Sequence, residues 1–219
     1  IPETVTVDGN AYQVTMIGAE AFNNCTLLEE VIIPDSVTEI EDGRKVDIFI
    51  YLDDYCSAFR KCQRLKTIKL SNNLKKIGRD AFSRCTGLKS IDIPNSVTTI
   101  GSGAFSRCPL REIAIPDSVT FIGSGAFAWC RDLKNFTFPS GITVIDDYMF
   151  QDCQNLTSVT IPNGITQIGY IAFLNCHRLT TIRYAGTAEA WSHIKVNNNY
   201  NGNRDLYRAT IRYIDGPFG

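Results

Sequence analysis

Apolar side chains recur along this chain at a fixed set of positions. The stretch 88–108, LKSIDIPNSVTTIGSGAFSRC, reads Leu-x-x-Ile-x-Ile-Pro-x-Ser-Val-Thr-x-Ile-Gly-x-x-Ala-Phe-x-x-Cys. Its Phe returns at Phe82, Phe105, Phe127, Phe150 and Phe173, in steps of 23, 22, 23 and 23 residues. The short step falls at Cys108-Pro109-Leu110, where one residue is missing. A fixed period of this length marks a solenoid, in which each unit buries its apolar face only against a neighbour. Within a unit, Ile-x-Ile alternates with period two and predicts a short strand, closed by Pro, which has no amide donor. Ser-Val-Thr-x-Ile predicts a second extended stretch ending at Gly. Ala-Phe-x-x-Cys-x-x-Leu spaces its apolar residues at three and four, which suits a helical turn or a 3₁₀ piece.

The repeat occupies 17–184, about seven units in one elongated domain. Residues 1–16 lie outside it; alternating stretches flank Asp8-Gly9-Asn10 and predict a β-hairpin that caps the first unit. Residues 185–219 predict a C-terminal cap: a short helix N-capped by Thr187, a polar loop over Asn197–Asn203, and a strand over Ala209–Ile214. Trp191, Ile194 and Leu206 are its expected cover for the last unit. The register breaks once. From Ile40 to Phe59 is 19 residues where other units have five, which places an insertion at 41–55. Its Ile48, Phe49, Ile50, Tyr51 and Leu52 form an apolar run bracketed by Asp47, Asp53 and Asp54. Two readings stand: a hairpin or strand folded back over the solenoid flank, or a protruding apolar epitope for a partner.

Composition narrows the function. Lys and Arg number 22 against 23 Asp and Glu, a formal net charge of -1, so no whole-chain field recommends nucleic acid. No apolar run is long enough to span a membrane. The chain opens at Ile1 with no Met and no signal peptide, and reads as a mature or excised fragment. Seven of the eight cysteines (Cys25, Cys62, Cys85, Cys108, Cys130, Cys153 and Cys176) hold one phase of the repeat. A ladder of free, buried thiols is expected, since Cys packs well as a small hydrophobe. Cys56 alone is out of phase.

Chemistry is sparse. His177 follows Cys176 at a variable position and His193 sits beside Trp191; exposure or packing is expected of both. Gly101-Ser102-Gly103 and Gly123-Ser124-Gly125 mimic a phosphate loop but recur in phase and lack the Lys that such a loop needs. Adjacent pairs such as Asp146-Asp147 set no acid–base geometry. No catalytic residue, metal site or cofactor is expected.

The chain resembles the BspA-like leucine-rich repeat family of bacterial surface proteins, through IDIPNSVTTIGSGAFSRC at 91–108, IAIPDSVTFIGSGAFAWC at 113–130 and VTIPNGITQIGYIAFLNC at 159–176. VTVDGNAYQVTMIGAEAF and IRYAGTAEAW resemble stretches that flank such repeats. The resemblance implies a curved, right-handed, β-rich solenoid of the leucine-rich-repeat type. It further implies display on a cell surface or secretion, and non-enzymatic adhesion to a host or microbial protein or glycoprotein. A structural spacer, or a substrate-binding accessory of a larger surface protein, is the alternative.

A partner surface follows from the pleat. With Leu and Ile of each Leu-x-x-Ile-x-Ile strand inward, the residues between them form an exposed ladder. Its candidate contact residues are Lys69, Ser90, Asp92, Glu112, Asn135, Thr137, Ser158, Thr160 and Arg183. The ladder is polar, mixed in charge and free of aromatics, and a solvated sheet is the other reading of it. Phe121 and Val144, at one phase of adjacent units, are expected to form a lateral patch or to pack against each other.

Overall fold

The computed structural model describes residues 1–45 and 55–214. Seven coils carry the phenylalanines Phe22, Phe59, Phe82, Phe105, Phe127, Phe150 and Phe173 and are numbered 1 to 7 by them. Each coil runs from its Phe turn through the Ile-x-Ile segment to the Thr-x-Ile segment. Equivalent segments of neighbouring coils lie side by side and parallel. Met16–Ile17, Glu39–Ile40, Lys76–Ile77, Thr99–Ile100 and Phe121–Ile122 make one five-stranded sheet. Val144–Ile145, Gln167–Ile168 and Lys195–Val196 make another.

The core is a column. The Phe rings of coils 1 to 5 stack nearly parallel, with centroids 5.0, 5.3, 5.6 and 5.7 Å apart. Small Ala residues precede them, and Ala81, Ala104 and Ala126 are fully buried between coils. The Phe segment is a string of i→i+3 turns, such as Ser83 N to Asp80 O and Cys85 N to Phe82 O. Left-handed backbone at Asp80 (φ 54) and Arg84 (φ 63) keeps these turns from fusing into a helix. Coils approach most closely at the glycine that ends Thr-x-Ile. A Cβ on Gly101 would stand 2.5 Å from the Arg79 nitrogen of the coil before, so only Gly fits.

All eight cysteines are free, and six of the seven in-phase thiols are buried. The exception corrects the expected ladder: Cys25 is exposed. In coils 2 to 7 the thiol packs under the Phe turn of the preceding coil, whereas coil 1 has no such turn before it. Burial pushes the thiol of Cys62 up to about 11 and that of Cys130 up to about 12. Those of Cys85, Cys108, Cys153 and Cys176 are likewise raised, by the same cause.

The amino-terminal hairpin forms. Thr4–Val7 pairs antiparallel with Asn10–Gln13 around Asp8 and Gly9, both at positive φ (50 and 80), the geometry of a two-residue turn. Its eight strand residues are all exposed. From this end of the chain, Ile1 and Val14 pack on the core.

At the other end the tail builds a further coil. Helix α1 (Ala188–Ser192) has the expected cap, Ala190 N donating to Thr187 Oγ1 at 3.1 Å. Lys195–Val196 then joins the Thr-x-Ile sheet, and Thr210–Tyr213 pairs in parallel with Thr181–Tyr184. Between them lies a second helix, α2 (Arg204–Arg208), where the sequence shows only a polar loop and a strand. Asn203, fully buried, stands in for a turn. Its Oδ1 accepts from Phe173 N at 3.0 Å, and its Nδ2 donates to Gly169 O and Asn197 O at 2.9 and 2.6 Å. His177 Nδ1 lies 3.3 Å from Oδ2 of Asp205, a buried carboxylate on α2.

Candidate binding site on the strand face

The Ile-x-Ile segments do not form one ladder. Glu30–Ile32 pairs with Thr67–Lys69, and Asn135–Thr137, Ser158–Ile161, Thr181–Tyr184 and Thr210–Tyr213 form a four-stranded sheet. In coils 3 and 4, between these sheets, the predicted strands are absent. Among the described residues, no backbone hydrogen bond joins Ser90–Ile93 to Glu112–Ile115, or either to its other neighbour. The face is held there by Arg111 N to Lys89 O at 3.3 Å and Lys134 N to Arg111 O at 3.4 Å.

Three local features lie at the opening. One residue is missing before Leu110. Coil 5 alone carries aromatic residues, Phe136 and Phe138, at both positions of the segment, and Phe136 wedges between Phe127 and Phe150, 4.9 Å from each. Those two rings are 6.1 Å apart, the widest step among coils 1 to 7. Asp146 follows Ile145 at the position that Glu41 fills in coil 1 and glycine in coils 2, 3, 4 and 6. Glu41 N, Gly101 N, Gly123 N and Gly169 N each donate to the Ile carbonyl one coil back, and among the described residues no counterpart joins Asp146 to Ile122. The Thr-x-Ile sheets accordingly part between Phe121–Ile122 and Val144–Ile145. The Phe turns stay bonded throughout, as in Phe105 N to Ala126 O at 2.9 Å. The solenoid therefore opens on its strand side and stays closed on its turn side.

The opening is a groove of ≈ 800 Å³. Its floor is Ile91, Ile113 and Ile115, and its walls include Arg111, Ala114 and Lys134. Five of the nine strand-face candidates line it: Ser90, Asp92, Glu112, Asn135 and Thr137. Asn135 Oδ1 accepts from Ser158 Oγ at 2.7 Å, which fixes one wall to the intact sheet. Asp117 Oδ1 spans the seam to Ser140 N at 3.0 Å. Lys69 and Arg183 are exposed but lie outside the groove, and Ser158 is half-buried. Thr160 corrects the expected exposed ladder, being only 9% exposed. Its strand is paired on both sides, so Thr137 and Arg183 flank the small side chain. Phe121 and Val144 remain 51% and 39% exposed. Alternation identified most of the side chains that face out, with Thr160 the exception. The gap in the ladder was foreshadowed only by the 22-residue step.

Of the insertion, the described residues show an antiparallel pair at its base, Arg44–Lys45 with Tyr55–Cys56. The candidate residues Ile48, Phe49, Ile50, Tyr51 and Leu52 lie outside the described residues. Among the described residues no cluster of three or more His, Cys, Asp or Glu is placed to hold a metal ion. No helix among them is long and apolar enough to cross a membrane.

Solved structures share this architecture. A leucine-rich repeat protein of Bacteroides ovatus ATCC 8483 aligns over 97% of this chain at 27% identity and TM-score 0.64, and the chain spans 62% of its length. The T. pallidum leucine-rich repeat protein aligns over 82% of the chain and 76% of its own at 32% identity and TM-score 0.67. One from Eubacterium ventriosum ATCC 27560 covers 70% of the chain and 48% of its own, at 26% identity and TM-score 0.52. No curated protein matches the chain. The model of the BspA type leucine-rich repeat region matches in six copies over residues 5–44 and 55–181. With its period, its Phe column and its parallel ladders, the chain belongs to the BspA-type leucine-rich repeat family.

Proposed function

We propose that this chain is a non-enzymatic binding module, displayed on a bacterial surface or secreted, that engages a host or microbial protein or glycoprotein through the strand-face groove. One observation carries the reading. Ser90–Ile93 and Glu112–Ile115 present backbone donors and acceptors that no neighbouring coil takes up, above an apolar floor. Extended segments of a partner dock on such unpaired edges by main-chain hydrogen bonds, with side chains setting specificity. Asp92 and Glu112 facing Arg111 and Lys134 supply charges of both signs for that selection.

The test is a binding screen of the purified chain against extracellular-matrix proteins and host glycoproteins. It is repeated with the double substitution Asp92→Lys, Thr137→Lys. Both side chains are exposed, so the melting temperature should hold while binding is lost. A partner bound equally well by the double variant refutes the groove. A variant with residues 46–54 replaced by Gly-Gly separates the insertion: loss of binding there would move recognition to Ile48–Leu52. A folded chain that binds nothing would leave the spacer.

A further inference from the structure

The formal charge of -1 conceals a strong segregation. From Arg60 to Lys134 the chain carries 14 of its 22 basic residues and 5 of its 23 acidic ones, an excess of nine positive charges. The remainder, with 8 basic against 18 acidic, has an excess of ten negative ones. The positive band reaches the face formed by the Phe turns. A groove of ≈ 580 Å³ there takes the buried Arg60 from coil 2, Arg79 and Arg84 from coil 3, and Arg107 from coil 4, with one carboxylate, Asp80. The rest of the lining is mainly serine and glycine, with Trp129 and Tyr148. A second groove, of ≈ 340 Å³, shares Arg84, Arg107 and Trp129 with it and adds Arg131.

The repeat sets the spacing of these charges. Lys61, Arg84 and Arg107 occupy one phase of three successive coils, each in left-handed backbone (φ 62, 63 and 63). They recur one coil apart, with Arg107 exposed and Lys61 and Arg84 half-buried. Four arginines against one carboxylate leave the groove with a net positive charge, which favours a polyanion laid across it. The next position in the row is Trp129, and the guanidinium carbons of Arg107 and Arg131 lie over its ring at 4.5 and 5.1 Å from the centroid.

We propose that this turn face binds a linear sulfated polysaccharide, laid along the solenoid axis across the Arg84–Arg107 row. Guanidinium forks match sulfate oxygens in bidentate geometry. Serine hydroxyls between them suit the hydroxyls of a sugar chain. Single-stranded nucleic acid needs open aromatic faces for its bases; here Trp129 is engaged by two cations and Tyr148 packs edge-to-face with Tyr170. Duplex DNA takes a projecting element into its groove, whereas this face is itself recessed. The site is on the other side of the molecule's repeat from the strand-face groove, and each reading stands or falls alone.

The full chain is tested on immobilised heparin by surface plasmon resonance, with Arg84→Asn, Arg107→Asn as the variant. Asn suits the position, since Asn24 and Asn175 hold the same phase at φ 61. Wild type should bind at about 0.15 M salt and weaken steeply as salt rises, and the variant should bind at least about tenfold more weakly. Arg212→Asn, an exposed site at the far end, should bind as wild type does. Absence of wild-type binding, unchanged binding by the double variant, or an equal loss in Arg212→Asn overturns the proposal. So does binding of duplex DNA or of desulfated heparin as tight as that of heparin. Should the double variant melt below wild type, the exposed Arg131→Asn carries the same test, with weaker heparin binding expected and unchanged binding overturning the site.

Discussion

The thiol of Cys108 donates to the carbonyl oxygen of Phe82, one coil back, at 3.0 Å. That carbonyl also accepts the amide of Cys85 at 3.1 Å, so the turn of one coil and the thiol of the next share an acceptor. The relationship recurs from Cys62 to Phe22 through Cys176 to Phe150, always between 3.0 and 3.2 Å. It accounts for Cys in a phase that must be small, apolar and able to donate. Alanine satisfies the first two needs only.

Cys108→Ala should therefore cost about 1–2 kcal/mol, from the lost donor and the vacated sulfur volume. Urea denaturation with an unchanged slope would measure it. A neutral substitution would show that the thiol merely fills space.

Alkaline pH should destabilise the protein through these thiols. In the unfolded chain they ionise near 9.0, whereas burial holds Cys62 up to about 11 and Cys130 up to about 12. Between those limits the unfolded state has lost protons that the folded state retains. Each such thiol then removes stability at about 1.4 kcal/mol per pH unit as pH rises. Melting temperatures should fall steadily above pH 9 and be flatter in a Cys130→Ala variant. Alkylation of the native protein should modify Cys25 first and leave the six buried thiols intact until unfolding.

Gly101→Ala should destabilise by about 1–3 kcal/mol, because its Cβ would meet the Arg79 backbone at 2.5 Å. Gly164→Ala is the control. Its nearest neighbour, Ile142 O, is 3.7 Å from the new atom, and the change should be neutral or stabilising by about 0.5 kcal/mol. Thermal melts of the two variants give the contrast directly.

Amide hydrogen exchange should report the opened seam. Amides of Asp92, Ile93 and Ala114 should exchange at least about tenfold faster than those of Val159 and Ile182, whose segments are paired on both sides. Equal protection would mean that the strand face closes in solution.

Asn203→Ala should cost about 2–3 kcal/mol. It strands Phe173 N and Gly169 O, both buried, without a partner. Loss of far-ultraviolet signal confined to a low-temperature first transition would place the damage in the last coil.

The period, the inward Phe, Ile, Leu and Cys positions, and the family followed from the order of residues. A solenoid repeats the same local problem, and each unit restates the same solution in its own letters. Asp8-Gly9 specified a turn because only such residues enter positive φ readily, and Thr187 specified a helix start by its own hydroxyl. The groove was different. Coils 3 and 4 carry Ile-x-Ile as cleanly as any other, and nothing local in Ser90–Ile93 withholds a strand. Their partners withhold it: Phe136 and Phe138 take more room than Ile, and a strand exists only as far as a neighbour accepts its hydrogen bonds. The eighth coil was likewise invisible, since Asn203 supplies by side-chain bonds what the repeat elsewhere supplies by backbone. Which polar residues share one surface was settled by how coils stack, because residues 23 apart in sequence meet only when the column is built.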